Sequence, residues 1–440
     1  MIGRALLDPG RLSGSDGLSP FQHRNFRLFF AGQAVSLVGT WMQQVAQAWL
    51  VLELTHDPIW LGIVAAAQFI PVMVLGLFAG VAADALPKRQ VLIATQTAMM
   101  VLAAILAVLV IADVVEVWMI LVLAFLLGIA NAVDMPARQS FAYEMVGREE
   151  VGSAVALNSA MFNGARVLGP AAAGLAIGAF GVGPAFAINA VSFVAVIVGL
   201  LMMRDSELHI GNRIARPETV GAVVRNLAEG LRYVRGTPVV LLAVVVVGGV
   251  ATVGMNFNVL IPAFAQDDLA AGAAGYGFLM AASGIGSLLA AMRLVFGGRP
   301  RPVRLATGAL ILGLASVALA ATRVYPVALG LMVLVGFGSI LMAATGNTTI
   351  QLAVPDHLRG RVMSVYTTVF SASVPIGGLA FGAAASAFGV PTAIAIGGVL
   401  TLVIGLGALA WGRAGAFELT ENTGAAASSG GSLPAAARAR

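Results

Sequence analysis

Apolar runs of about 20 residues, separated by short polar connections, recur along nearly the whole 440-residue chain. A helix needs about 20 such residues to cross about 30 Å of hydrocarbon, whereas a membrane strand needs about half as many and alternates. The pattern therefore predicts an all-α membrane protein with twelve transmembrane helices, at 28–52, 59–83, 91–112, 117–137, 154–180, 184–203, 239–264, 275–296, 303–321, 326–349, 363–388 and 391–411. Gly and Pro at 181–184 and 389–391 mark breaks between adjoining helices. The longest polar connection splits the spans six and six. This predicts an N-terminal segment 1–27, a six-helix bundle 28–203, a linker 204–238, a second bundle 239–411 and a tail 412–440. In the linker, Val220, Val223, Val224, Leu227, Leu231 and Val234 recur at helical spacing opposite Arg225, Glu229, Arg232 and Arg235. That is the pattern of an amphipathic helix on a membrane surface. The tail, "TGAAASSGGSLPAAARAR", has nothing to bury and reads as disordered.

The halves also resemble each other. "LGIVAAAQFIP" (61–71) aligns with "YGFLMAASGIG" (276–286), and "GPAAAGLAIGAFGV" (169–182) with "GGLAFGAAASAFGV" (377–390). The matches pair the second span with the eighth and the fifth with the eleventh. Two six-helix pseudo-repeats about an axis along the membrane normal, with a binding site between them near the midplane, is a transporter architecture.

Charge then orients the chain. Hydrophobic residues make up 59% and charged residues 10%, with a formal net charge of +5 and no cysteine. Disulfides and thiolate chemistry are excluded. With the N-terminus inside, Arg24, Arg27, Lys88, Arg89, Arg138, Arg148, Arg204, Arg299, Arg301 and Arg359 all fall on one side. Of the basic loop residues only Arg323 falls opposite, among Glu53, Asp57, Asp113, Glu116, Asp267 and Asp268. Such asymmetry predicts a multi-pass protein with both termini cytoplasmic, and it explains the basicity without nucleic acid. The polar leading residues lack the apolar core of a signal peptide. His23, His56, His209 and His357 lie in loops or tails, and no second acidic cluster accompanies Asp267 and Asp268. The sequence thus predicts no metal site, no cofactor and no enzyme activity.

Several spans carry polar residues that lipid does not tolerate unpaired. In the first, Gln33, Ser36, Thr40, Gln43, Gln44 and Gln47 share an arc of about 100°, predicted to wall a cavity or to hydrogen-bond a neighbouring helix. In the fifth, "NGARVLGPAAAG" supplies Asn163, the intramembrane Arg166, and the close-packing or bending residues Gly169, Pro170 and Gly174. Tyr366, with Thr and Ser neighbours, is a candidate for a facing wall. Amides and hydroxyls without an intramembrane acid predict neutral, zwitterionic or weakly anionic amphiphiles over dications.

The stretch "GVAADALPKRQ" (80–90) resembles the signature loop of the major facilitator superfamily. Gly80, Asp84, Lys88 and Arg89 match it; Ala85 and Pro87 depart from it. "NFRLFFAGQAVSLVGTWMQQVAQAWLVLELT" (25–55), "NAVDMPARQSFAYEMV" (131–146) and "GARVLGPAAAG" (164–174) resemble the branch of drug:proton antiporters that includes enterobactin exporters and macrolide and tetracycline pumps. Gly169, Pro170 and Gly174 are similar to that family's antiporter motif, with one extra Ala. The resemblance implies a monomeric secondary transporter of the bacterial cytoplasmic membrane, exporting a small amphiphile such as a drug or siderophore against protons. A lipid flippase or a non-transporting binding protein shares the fold. It further implies that Asp84 latches onto the start of span eleven, near Met363, and that Lys88 pairs with Asp134, for which Arg138 is the alternative partner. Asp134 and Glu53 are the proton-coupling candidates.

Overall fold

The computed structural model describes residues 16–209, 220–296 and 303–412, with the side chains of 16, 77–85, 220, 222–224 and 295 outside the described set. Of the expected linker, 210–219 also lie outside it, as does the expected tail from 413 onward. The helices are α1 (Arg24–Thr55), α2 (Ile59–Ala85), α3 (Lys88–Ile111), α4 (Val117–Phe180), α5 (Gly183–Leu201), α6 (Val220–Gly236), α7 (Pro238–Gly254), α8 (Phe257–Ala263), α9 (Gly272–Phe296), α10 (Val303–Ala321), α11 (Tyr325–Ala353), α12 (Asp356–Phe388) and α13 (Val390–Trp411). Among the described residues, ten are long and apolar enough to cross a membrane. α1 is too polar to join them, and α4 is long enough to cross twice, which accounts for twelve crossings.

Three boundaries differ from the pattern-based expectation. Spans four and five are joined by helix rather than loop, and the chain reverses at Gly147, whose φ of 75° is a conformation that glycine adopts without penalty. Span seven is broken after Gly254, where Asn256 donates its side-chain amide to the Thr252 carbonyl at 2.8 Å and so replaces a ladder bond. α12 begins at Asp356, seven residues before Met363.

The linker helix α6 packs on the bundle. Val234 is 1% exposed, Arg361 donates to Glu229 at 2.8 Å, and a Cβ on Gly230 would stand 2.5 Å from the Arg361 carbonyl. Its apolar face therefore turns in part to α12 instead of wholly to lipid.

The bundles repeat their internal pairings. α2 packs on the first arm of α4 as α9 packs on α11, and α3 on α5 as α10 on α13. Between the bundles, α2 meets α12 and the second arm of α4 meets α9. These two contacts are one contact seen twice, because the aligned segments 61–71 and 377–390 lie in α2 and α12, while 276–286 and 169–182 lie in α9 and α4. Glycine permits both: a Cβ on Gly277 would lie 2.6 Å from the Gly174 Cα, and one on Gly62 would overlap the Gly378 carbonyl.

Within the second bundle, a Cβ on Gly336 would overlap the Ser283 carbonyl oxygen, whereas one on Gly330 of the same helix meets nothing within 4 Å. Gly336→Ala is expected to destabilise by about 1–3 kcal/mol, the usual cost of overpacking. Gly330→Ala is expected to be neutral or stabilising by up to about 1 kcal/mol through helix propensity. Thermal unfolding of both variants in detergent checks this; equal shifts would refute the seam.

Candidate functional site

One end of the bundle collects the basic residues. Asp134 is wholly buried there and accepts from Thr95 Oγ1 at 2.7 Å, from Gln96 Nε2 at 2.9 Å and from Arg138 one turn along α4. Lys88 does not reach it. Its Nζ lies 2.9 Å from Glu144, itself nearly buried, so the expected Lys88–Asp134 pair is replaced by two separate pairs. Arg89 donates to the Leu200 and Leu201 carbonyls and to Asp205 at 2.6 Å, while Arg24 donates to the Met202 carbonyl at 2.8 Å. The last carbonyls of α5, which have no partners within the helix, are thereby capped by two cations. Gly80 and the Asp84 side chain fall outside the described set. Met363 lies well inside α12, where amides are used by the helix; the amides free to meet Asp84 belong to the first turn, at Asp356 and His357.

The polar stripe on α1 divides. Asn189 of α5 donates to Gln43 at 2.5 Å, and a Cβ on Gly39 would stand 2.7 Å from Asn189 Oδ1. Gln33 and Ser36 are also buried, and Thr40 returns its hydroxyl to the Ser36 carbonyl at 2.9 Å. This face joins α1 to α5, so the expected cavity wall is reduced there to an interhelical contact. Gln44 alone of the six is exposed. Tyr366 is likewise packed away from an open wall, 8% exposed and stacked on Phe370 at 6.4 Å. Asn163 donates to the Ser159 carbonyl at 2.8 Å. Glu53 is exposed and accepts from Trp49 Nε1 at 2.6 Å.

The chemistry between the bundles lies where α1, α4 and α9 converge. Gly169 faces α1, since a Cβ there would overlap Trp41, and Pro170 and Gly174 face Gly277 of α9. At 3.6 residues per turn, Arg166 points about 60° from Gly169 and about 40° from Pro170, into the wedge between α1 and α9. Its guanidinium carbon stands 5.9 Å from the Trp41 ring centroid. Two turns farther along α1, Trp49 stacks across the bundles on the fully buried Tyr276, with centroids 6.4 Å apart. Sequence reasoning missed Trp41, Trp49, Tyr276, Thr95, Gln96 and Glu144. Only Thr95 and Gln96 carried a signal, as adjacent polar residues in an otherwise apolar span.

Comparison with known proteins agrees with this arrangement. The profile of the transmembrane secretion effector family matches residues 15–423. The multidrug efflux pump Tap of Mycolicibacterium fortuitum is 32% identical over 355 residues, covering 78% of this chain and 85% of the pump. The staphyloferrin A transporter of Staphylococcus aureus is 22% identical over 86% of this chain and 94% of its own. Macrolide efflux protein A of Streptococcus pyogenes is 23% identical over 88% and 96%. Among solved structures, a peptide transporter, POT, superposes with a TM-score of 0.72 at 14% identity, over 90% of this chain and 96% of its own. The nucleoside transporter NupG gives 0.70 at 12%, over 88% and 99%. A twelve-crossing bundle in two like halves, matched along most of its length, places this chain in the transmembrane secretion effector family of the major facilitator superfamily, a transporter and not an enzyme.

Proposed function

We propose that the protein exports a small amphiphilic molecule across the bacterial cytoplasmic membrane, by alternating access and at the expense of the proton gradient. The observation that carries this is the position of the contacts between the bundles. Asp57 with Ser386, Gly62 with Gly378, Gly174 with Gly277 and Trp49 with Tyr276 all lie toward the end opposite Lys88 and Arg89. The positive-inside rule puts the basic end in the cytoplasm, so the form described is sealed on the outside. Both seams meet backbone to backbone through glycine, a contact that two rigid bundles can rock about without repacking long side chains. The relatives named as efflux pumps support the direction of transport.

Asp134 is the coupling carboxylate in this reading. Its ionised form is held by Arg138 of its own helix and by Thr95 and Gln96 of α3, and a neutral carboxyl would lose the charge assistance of all three bonds, loosening the tie between α4 and α3. Glu53, exposed and bonded within its own helix, is less suited to the task. Asp134→Asn is expected to abolish uphill, gradient-driven uptake into inverted vesicles while downhill exchange persists. Undiminished uphill transport by the variant would remove Asp134 from the coupling path.

Two substitutions at opposite ends carry opposite signs. A Cβ at Gly277 would stand 2.5 Å from the Pro170 carbonyl, so Gly277→Ala strains only the sealed form. An overpacking cost of about 1–3 kcal/mol shifts a two-state equilibrium by about 5- to 150-fold toward the outward-open form. Asp84→Asn is expected to act the other way, by losing a charge–dipole contact of about 0.3–2 kcal/mol with the first turn of α12 when that form closes the basic end. A single cysteine placed at Gln44 in this cysteine-free chain reads both: labelling from outside should rise with Gly277→Ala and fall with Asp84→Asn. Shifts of the same sign in the two variants would rule out alternation about these seams.

A further inference from the structure

Arg166 is a charge without an acid. It sits near the middle of the second arm of α4, 14 residues before Phe180, and its side chain is half-buried. Among the described residues no carboxylate lies within ion-pair distance of it, and its interaction is with the face of Trp41. A cation at this depth is costly, and such residues normally pair with an acid or face an aqueous path. Here the Trp41 ring meets the guanidinium through its π face, an interaction that leaves the guanidinium edge and its N–H donors unused. The wedge into which that edge points is closed from above by Trp49 on Tyr276, two turns or about 12 Å along α1. Phe162, one turn before Arg166, is 47% exposed and packs edge-on against Trp41 at 5.6 Å. An exposed Gln44 follows Trp41 on α1.

We infer that Arg166, Trp41 and Phe162 form a subsite for the anionic group of an aromatic or planar amphiphile, halted beneath the Trp49–Tyr276 seal. The proposal rests on the exporter reading but specifies what the site recognises. The guanidinium edge takes a carboxylate or sulfonate oxygen pair in a fork geometry that lysine does not reproduce. The apolar body of the ligand lies on the two rings, and Gln44 offers both a donor and an acceptor to its remaining polar groups. A dication meets the Arg166 charge with no carboxylate to offset it.

The test uses the purified full-length protein in nanodiscs, without any gradient, and two probes of one shape: 2-naphthoate and its uncharged amide, 2-naphthamide. Trp41 is one of five tryptophans, so its signal is the part of fluorescence quenching lost in Trp41→Phe. Naphthoate is expected to bind at least tenfold more tightly than naphthamide and to quench Trp41. Arg166→Gln should abolish the preference, and Arg166→Lys should reduce it several-fold. Should Arg166→Gln not fold, the Lys variant alone decides. A preference unchanged in the folded variants, or quenching that survives whole in Trp41→Phe, overturns the proposal. Because binding is read without transport, naphthoate binding intact in a protein that exports nothing would refute the exporter reading and leave the subsite standing.

Discussion

The arrangement depends on how closely two helix backbones can approach in a solvent that offers no hydrophobic reward for association. Lipid tails are as apolar as leucine, so helices in a bilayer hold together by contact and by internal hydrogen bonds. Where α2 meets α12 and α4 meets α9, the contacting residues are glycines whose missing Cβ atoms leave room for a partner's backbone. The same device holds α9 against α11 within one bundle, where Gly286 and Gly336 face backbone carbonyls. The proposed alternation would need the contact between bundles to open and the one within a bundle to stay closed.

The second constraint is the cost of charge away from water, and the protein meets it in two ways. Asp134 is enclosed by a guanidinium, a hydroxyl and an amide, and Lys88 and Glu144 neutralise each other nearby. Arg323, on the acidic end, pairs with Asp268 at 3.3 Å. These are closed local accounts in which each charge has its partner. Arg166 has an aromatic face and no anion. The proposed roles follow that difference: the saturated carboxylate at the basic end is offered as the proton's site, and the unsaturated guanidinium midway along its helix arm as the ligand's.

Cations at the basic end also do structural work beyond topology. Arg24 and Arg89 close the C-terminus of α5, so that the two helices that start at this end are tied to one that finishes there. The resulting clamp joins α1, α3 and α5 at this end, where α5 also packs along both of the other helices.

Spans, six-plus-six division and the pairing of the second with the eighth and the fifth with the eleventh were legible in the chain, because membrane-crossing length and glycine periodicity are local properties. The family was legible from "GVAADALPKRQ" and the Gly-Pro segment for the same reason. Partner choice was not. Lys88 is equidistant in sequence logic from any acid on α4, and only the geometry of the extended helix up to Gly147 brings Glu144, not Asp134, to it. For the glutamine stripe of α1, whether it faced a cavity or α5 depended on the rotation of one helix against another, and Asn189 places Gln43 against α5. Trp41 and Tyr276 carried no signal at all, since an aromatic residue in an apolar span looks like core until a cation or a ring from another helix is placed against it. Local solvent preference is written residue by residue; the facing of one helix toward another is a property of the packed bundle, and it appears only there.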